Sequence, residues 1–148
     1  MNDSPVPKQG APSAGPTVLV SNRQDDAAVD ERILADLAER TLAGEEVGPV
    51  ELSLSFVGLD EMSALHQRYM GEPGPTDVLS FPLGEDGLLG DVVVCPAFAT
   101  GTAGDLQQEL RLLVVHGVLH LLGYDHEEED ERDVMWQKQE SYSGVRLT

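Results

Sequence analysis

The sequence predicts one domain in which short strands alternate with amphipathic helices, and three observations carry that expectation. A chain of 148 residues, 41% of them hydrophobic, suits a single core. Val50-Glu51-Leu52-Ser53-Leu54-Ser55-Phe56-Val57 alternates apolar with polar residues, the period-two pattern of a strand with one buried face. Val29, Ile33, Leu34, Leu37 and Leu42 recur at the spacing of one helical face.

Taken in order, residues 1–16 hold Pro5, Pro7, Pro12 and Pro16 among Gly, Ser and Ala, a composition that cannot bury enough apolar surface to order itself, so a disordered tail is expected. Residues 17–20 read as a first strand, about 26–43 as an amphipathic helix, 44–49 as a turn and 50–57 as the second strand. Asp60 is a plausible N-cap for a second helix carrying Met62, Leu65 and Tyr69, on which the lone His66 reads as a surface residue. Gly71-Glu72-Pro73-Gly74-Pro75 must be a loop. Residues 76–82 form a strand closed by Pro82, and 88–95 form another, with a hairpin at 84–87 between them. Residues 97–104 are ambiguous, because Ala97-Phe98-Ala99 suits a helix that Gly101 and Gly104 limit. A central helix runs from the N-cap Asp105 to about Leu122. A last helix, opened by Glu127 to Glu131 and ending near Ser141, relies on Val134, Met135 and Trp136 for its apolar contacts. No internal repeat is visible.

Composition narrows the function. Twenty-seven acidic against nine basic side chains give a formal charge of -18, which opposes tight, non-specific binding to a polyphosphate. No DNA partner is expected, and any RNA must be met by a local basic cleft, a metal or a partner. No apolar run approaches a membrane span, and no basic segment followed by an apolar one opens the chain, so a cytoplasmic protein is expected. The lone Cys95, in the run Val92-Val93-Val94-Cys95, reads as a small buried side chain in a reducing compartment.

Three of the four histidines fall in H-G-V-L-H-L-L-G-Y-D-H, residues 116–126. His116 and His120, four apart, stack on one helical face. Gly123 suits the left-handed conformation that ends a helix, and the turn Tyr124-Asp125 lets His126 return toward the pair. Three neutral nitrogen donors with one open position are the ligand set of a catalytic zinc site, so one Zn2+ is expected on His116, His120 and His126. The bland alternative, polar residues on a half-buried helix, is opposed by the flanking Leu112 to Val115, Val118, Leu119, Leu121 and Leu122, among which unpaired imidazoles would be costly. The spacing also follows the zinc-protease signature H-E-x-x-H-x-x-G-x-x-H, but Gly117 stands where that signature has its glutamate base.

Four segments in order, P-T-D-V-L-S-F-P at 75–82, G-D-V-V-V-C-P at 90–96, the histidine motif and the acidic helix with Met135-Trp136, resemble the YbeY family of metal-dependent endoribonucleases. The resemblance spans roughly residues 17–142. It implies an α+β fold for a single domain at 17–148, with a mixed sheet of about four strands packed with helices and zinc in a cleft beside the sheet. It further implies cutting of single-stranded RNA in 3′-end maturation of small-subunit ribosomal RNA and in ribosome quality control, with the ribosome or its proteins as partners. His116, His120 and His126 fall on the family's metal ligands.

Metal-assisted hydrolysis of a phosphodiester gathers negative charge that a cation should stabilise, and Arg68 and Arg23 are the candidates. We therefore assign His116 and Arg68 to catalysis and Thr76, Asp77, Ser80 and Arg23 to substrate; the Pro-Thr-Asp run is equally a turn closed by its own side chains. Similar sequences commonly carry an arginine directly after the tyrosine that precedes this loop. Here Tyr69 is followed by Met70, and Arg68 would point about 200° away from it on a helix. The linker between Cys95 and the central helix also looks short for such proteins. Two rival readings follow: another zinc-dependent amide or peptide hydrolase, and a ribosome-associated factor with weak or lost nuclease activity.

Overall fold

The computed structural model describes residues 15–99, 105–125 and 127–145. Nearly all of the expected N-terminal tail, residues 100–104 of the ambiguous 97–104 segment and His126 lie outside the described residues. The chain forms β1 (Thr17–Arg23), α1 (Glu31–Gly44), β2 (Glu51–Val57), α2 (Leu59–Met70), β3 (Val78–Glu85), β4 (Leu88–Val94), the one-turn α3 (Pro96–Ala99), α4 (Leu106–Leu121) and α5 (Glu129–Ser143). The strands make one sheet in the order β1-β2-β4-β3. β1 and β4 run parallel to β2, and β3 runs antiparallel to β4. This is the α+β class with a mixed four-stranded sheet.

One face of the sheet is covered by helices and the other in part. Val18, Leu52, Leu54, Phe56, Val92 and Val94 pack with buried residues of α1, α4 and α5, while Val57, Leu79, Val93 and Cys95 pack with Met62 of α2 on the other side. Successive strand side chains point to opposite faces, so β4, between two layers, must be apolar at consecutive positions. That is why Val92-Val93-Val94 does not alternate. Cys95 is buried and burial pushes its thiol up, which fits an inert core side chain.

Several boundaries differ from expectation for local reasons. The first helix begins five residues later than its periodicity suggests, because the Gln24 amide both donates to the Ala27 carbonyl and accepts from its N–H, holding that segment in a turn. Asp30 then caps the helix by accepting from Ile33 N. Ile33 is consequently off the buried stripe of Leu34, Leu37, Ala38, Thr41 and Leu42, and is 48% exposed. Gly58, not Asp60, is the N-cap of α2. β3 continues through Pro82, since on an edge strand the missing N–H costs no ladder bond, and the hairpin narrows to Asp86-Gly87. On α5 only Met135 of the three expected apolar contacts is buried. Val134 is exposed, as is Trp136 at 49%, and the buried stripe is Met135, Gln139 and Ser143, at helical spacing of four.

One carboxylate fastens the end of α4 to two other helices. Glu45, the residue that ends α1, accepts hydrogen bonds from Tyr124 Oη (2.5 Å), Tyr142 Oη (2.5 Å) and Lys138 Nζ (2.9 Å). Burial pushes the Glu45 carboxyl up, but the three donors and the lysine charge outweigh it, and the group sits below the usual carboxylate range. Burial and the bond to Glu45 push the Tyr142 phenol up to about 12. The two shifts act at opposite ends of the pH scale. The Glu45 contribution is present above the unfolded value of about 4.3 and is lost as pH falls through the lower folded value; the Tyr142 contribution is present below about 10 and is lost as pH rises through about 12. Urea denaturation of Glu45→Gln at neutral pH should show a loss of about 1–3 kcal/mol, with a shallower acid limb in its stability profile than wild type.

Candidate functional site

α4 is positioned by its cap and by a close approach to the sheet. The Asp105 carboxylate accepts from Gln107 N at 2.8 Å at the helix start. Further along, a Cβ on Gly117 would lie 2.5 Å from Val92 Cγ1 and 3.3 Å from Ser80 Oγ, so this turn of the helix tolerates only a hydrogen there. Ser80 Oγ also donates to the Gly117 carbonyl at 3.0 Å, tying edge strand β3 to the same point. The position of the zinc-protease glutamate is thus the helix's contact with the sheet.

His116, one residue before and about 100° round the helix, meets α5 instead. Its Nδ1 is 2.6 Å from Oε1 of Gln139, and Gln139 is 6% exposed. An amide oxygen only accepts, so Nδ1 carries the proton and Nε2 the lone pair. His120 lies one turn on; the two half-buried rings have centroids 4.7 Å apart at an interplanar angle of 69°. The helix closes with Gly123 N–H donating to His120 O at 3.0 Å and Tyr124 N–H to Leu119 O at 3.1 Å. Gly123 has φ of 101°, the conformation its place in the sequence demanded. The chain then runs through Tyr124, held by Glu45, toward His126, which lies outside the described residues. Among the described residues no three His, Cys, Asp or Glu side chains converge as a metal site. Two adjacent imidazoles, one with its tautomer fixed, nevertheless have the donor chemistry that suits zinc.

The other expected residues are spread over two faces of the sheet. Arg23 faces α2, where it binds Glu61 through Nε (3.1 Å) and Nη2 (2.7 Å); the bond to Glu61 holds its guanidinium above the ordinary value. Arg68 lies 5.3 Å from the Tyr69 ring centroid, and Tyr69 lies 5.1 Å from Phe81. Arg23, Tyr69, Phe81 and Asp91 help line a groove of about 610 Å³. It opens on the α2 face, away from α4, because Phe81, Asp91 and Val93 alternate with the α4-facing Ser80 and Val92. Thr76 Oγ1 is 3.5 Å from Asp77 Oδ1, a long contact, and the Asp77 carbonyl accepts from Cys95 N at 2.9 Å. Burial, and then the charge of Asp77, hold the Glu109 carboxyl up, which places Asp77 by the N-terminal half of α4. His66 Nδ1 is 2.9 Å from the Gly74 carbonyl and braces the 71–75 loop.

The structure therefore brings together His116, His120, Gln139 and, through the helix backbone, Ser80. Gln139 escapes a reading based on apolar periodicity, because it is a polar residue on a buried stripe. The four-residue spacing from Met135 is the one signal that marks it.

A mixed four-stranded sheet carrying a helix with two stacked histidines defines an α+β domain with a histidine-bearing helix. The fold is shared with the solution structure of TM1509 from Thermotoga maritima, at a TM-score of 0.58 and 32% identity over 86% of this chain and 87% of that one. The family model for Endoribonuclease YbeY matches residues 19–144. Proteins named Endoribonuclease YbeY are 44% identical in Streptomyces griseus (78% of this chain, 81% of that protein), 47% in Acidothermus cellulolyticus (80% and 84%) and 48% in Beutenbergia cavernae (81% and 90%). The chain belongs to the YbeY family of endoribonucleases.

The contact at Gly117 carries its own test. Gly117→Ala gains about 1 kcal/mol of helix propensity but overpacks a β-branched core residue, at a cost of roughly 1–3 kcal/mol. Thermal unfolding should show net destabilisation, and Gly117→Glu should be worse and should create no peptidase activity.

Proposed function

We propose that this chain is a zinc-dependent, single-strand-specific endoribonuclease of the cytoplasm, acting in 3′-end maturation of small-subunit ribosomal RNA and in ribosome quality control. Its partners in this reading are ribosomal RNA and the ribosome or its proteins. The observation that carries the reading is the pair His116 and His120, one helical turn apart, with Nδ1 of His116 engaged by Gln139.

His116, His120 and His126 would hold the ion. Zinc held there would supply Lewis-acid chemistry for phosphodiester hydrolysis near neutral pH without a strong side-chain base. That chemistry accords with Gly117, which faces strand β4 and contributes no carboxylate. The same fact weighs against the amide or peptide hydrolase. Arg68 and Arg23 are the cations nearest in role to the one that phosphodiester cleavage calls for. Arg23 lies on the α2 face with its charge engaged by Glu61, which leaves Arg68, whose guanidinium rests by Tyr69 on an exposed helix end, as the more available of the two. Thr76 and Asp77 are proposed to meet the RNA. Ser80 acts through its bond to Gly117, keeping β3 against the histidine helix.

Met70, 58% exposed where similar sequences carry arginine, favours a second reading, a ribosome-associated factor whose cutting is weak or lost. His116→Ala and His120→Ala should each lose bound zinc by elemental analysis, and unchanged zinc content would defeat the metal assignment. Wild-type protein with added zinc should cleave single-stranded RNA and stop with EDTA, whereas the histidine variants should not. Ribosome binding without cleavage in any metal would decide for the second reading.

A further inference from the structure

We infer that Gln139 is a positioning residue for the metal: its side-chain oxygen holds His116 in the tautomer whose Nε2 can bind zinc. The inference rests on the zinc reading above and adds to it a residue on a different helix. The bond from His116 Nδ1 to Gln139 Oε1 is 2.6 Å long and lies at a residue only 6% exposed, so water competes poorly for either group. Histidine offers two nitrogens, and which one carries the proton is set by what the other meets. With an obligate acceptor at Nδ1, the proton stays there and Nε2 keeps its lone pair. A ligand whose ring is already oriented loses less freedom on binding, which is how hydrogen-bond partners of metal-bound histidines raise affinity.

The amide is itself held in place from both sides. One residue before it, Lys138 is bonded to Glu45; three residues after it, Tyr142 is bonded to the same carboxylate. Four residues after it, the Ser143 carbonyl accepts from Arg111 Nε at 2.8 Å, which joins α5 to α4. Met135, four residues before it, is fully buried. α5 therefore cannot rotate Gln139 away from His116 without breaking several contacts at once. A neutral amide also places no second charge beside the ligand. It fixes the ring without drawing a further proton onto it.

The test measures zinc affinity by competition with a chromophoric chelator, beside thermal unfolding of each zinc-free protein. Gln139→Leu, close in volume and unable to accept, should bind zinc about 10–100-fold more weakly than wild type. Gln139→Glu restores an acceptor at the same reach and should return affinity to within a few-fold of wild type, a rescue that a purely packing role would not produce. Leucine binding zinc as tightly as wild type while His116→Ala loses it would overturn the role of Gln139 and leave the zinc site standing. Unchanged affinity in His116→Ala would overturn both. Should the leucine variant fail to fold, two-bond proton–nitrogen NMR correlations on the wild-type chain read the tautomer directly. His116 protonated on Nδ1 supports the inference, and protonation on Nε2 overturns it.

Discussion

Helix α4 lies so near strand β4 that residue 117 has no space for a side chain, and the geometry of the rest of the site follows from that contact. With Gly117 against Val92 and its carbonyl taken by Ser80, the rotation of α4 about its axis is fixed. A helix fixed in rotation presents every other residue at a set angle. His116 and His120 are therefore turned to the side where α5 passes, and not to the sheet. A larger residue at 117 would move the helix outward and separate His116 from Gln139 on α5.

The second constraint is that α5 must stay in register with α4. Its apolar surface is small, since Val134 and Trp136 face solvent and Met135 is the one large apolar side chain on its buried stripe. Polar bonds supply what packing does not. Arg111 to Ser143, and Lys138 and Tyr142 to Glu45, fasten the helix at three points along its second half. Partly buried polar networks of this kind help specify one arrangement, because a slip by one residue leaves donors and acceptors unmatched.

Much of this was legible in the sequence. The strand at 51–57 announced itself by alternation, α4 by its cap at Asp105 and its apolar length, and the end of α4 by Gly123. The family was readable from four short segments. What could not be read were interactions whose partners are far apart in the chain. Gln24 and Ala27 delay α1 through a side-chain turn that periodicity does not sense. Arg23 looked like an available cation, but its partner Glu61 stands on another element. Gln139 belongs to a stripe marked by spacing alone, and of the hydrophobic residues expected to hold that helix Val134 and Trp136 point outward. Residue type points to candidate ligands; the hydrogen bonds that would support them require the fold.

The cluster at Glu45 also bears on the order in which the molecule assembles. Its three donors are 79, 93 and 97 residues away along the chain. Loops of that length close at an entropic cost that local contacts do not share, and such pairings form late. Synthesis runs from the N-terminus, so Glu45 emerges 97 residues before Tyr142. Tyr124 can reach Glu45 before α5 exists, but Lys138 and Tyr142 can add their bonds only once α5 has been made. A nascent chain can own the histidine helix before α5 brings Gln139 to His116, so in the proposed metal reading the oriented ligand belongs to the folded domain and not to its helix alone.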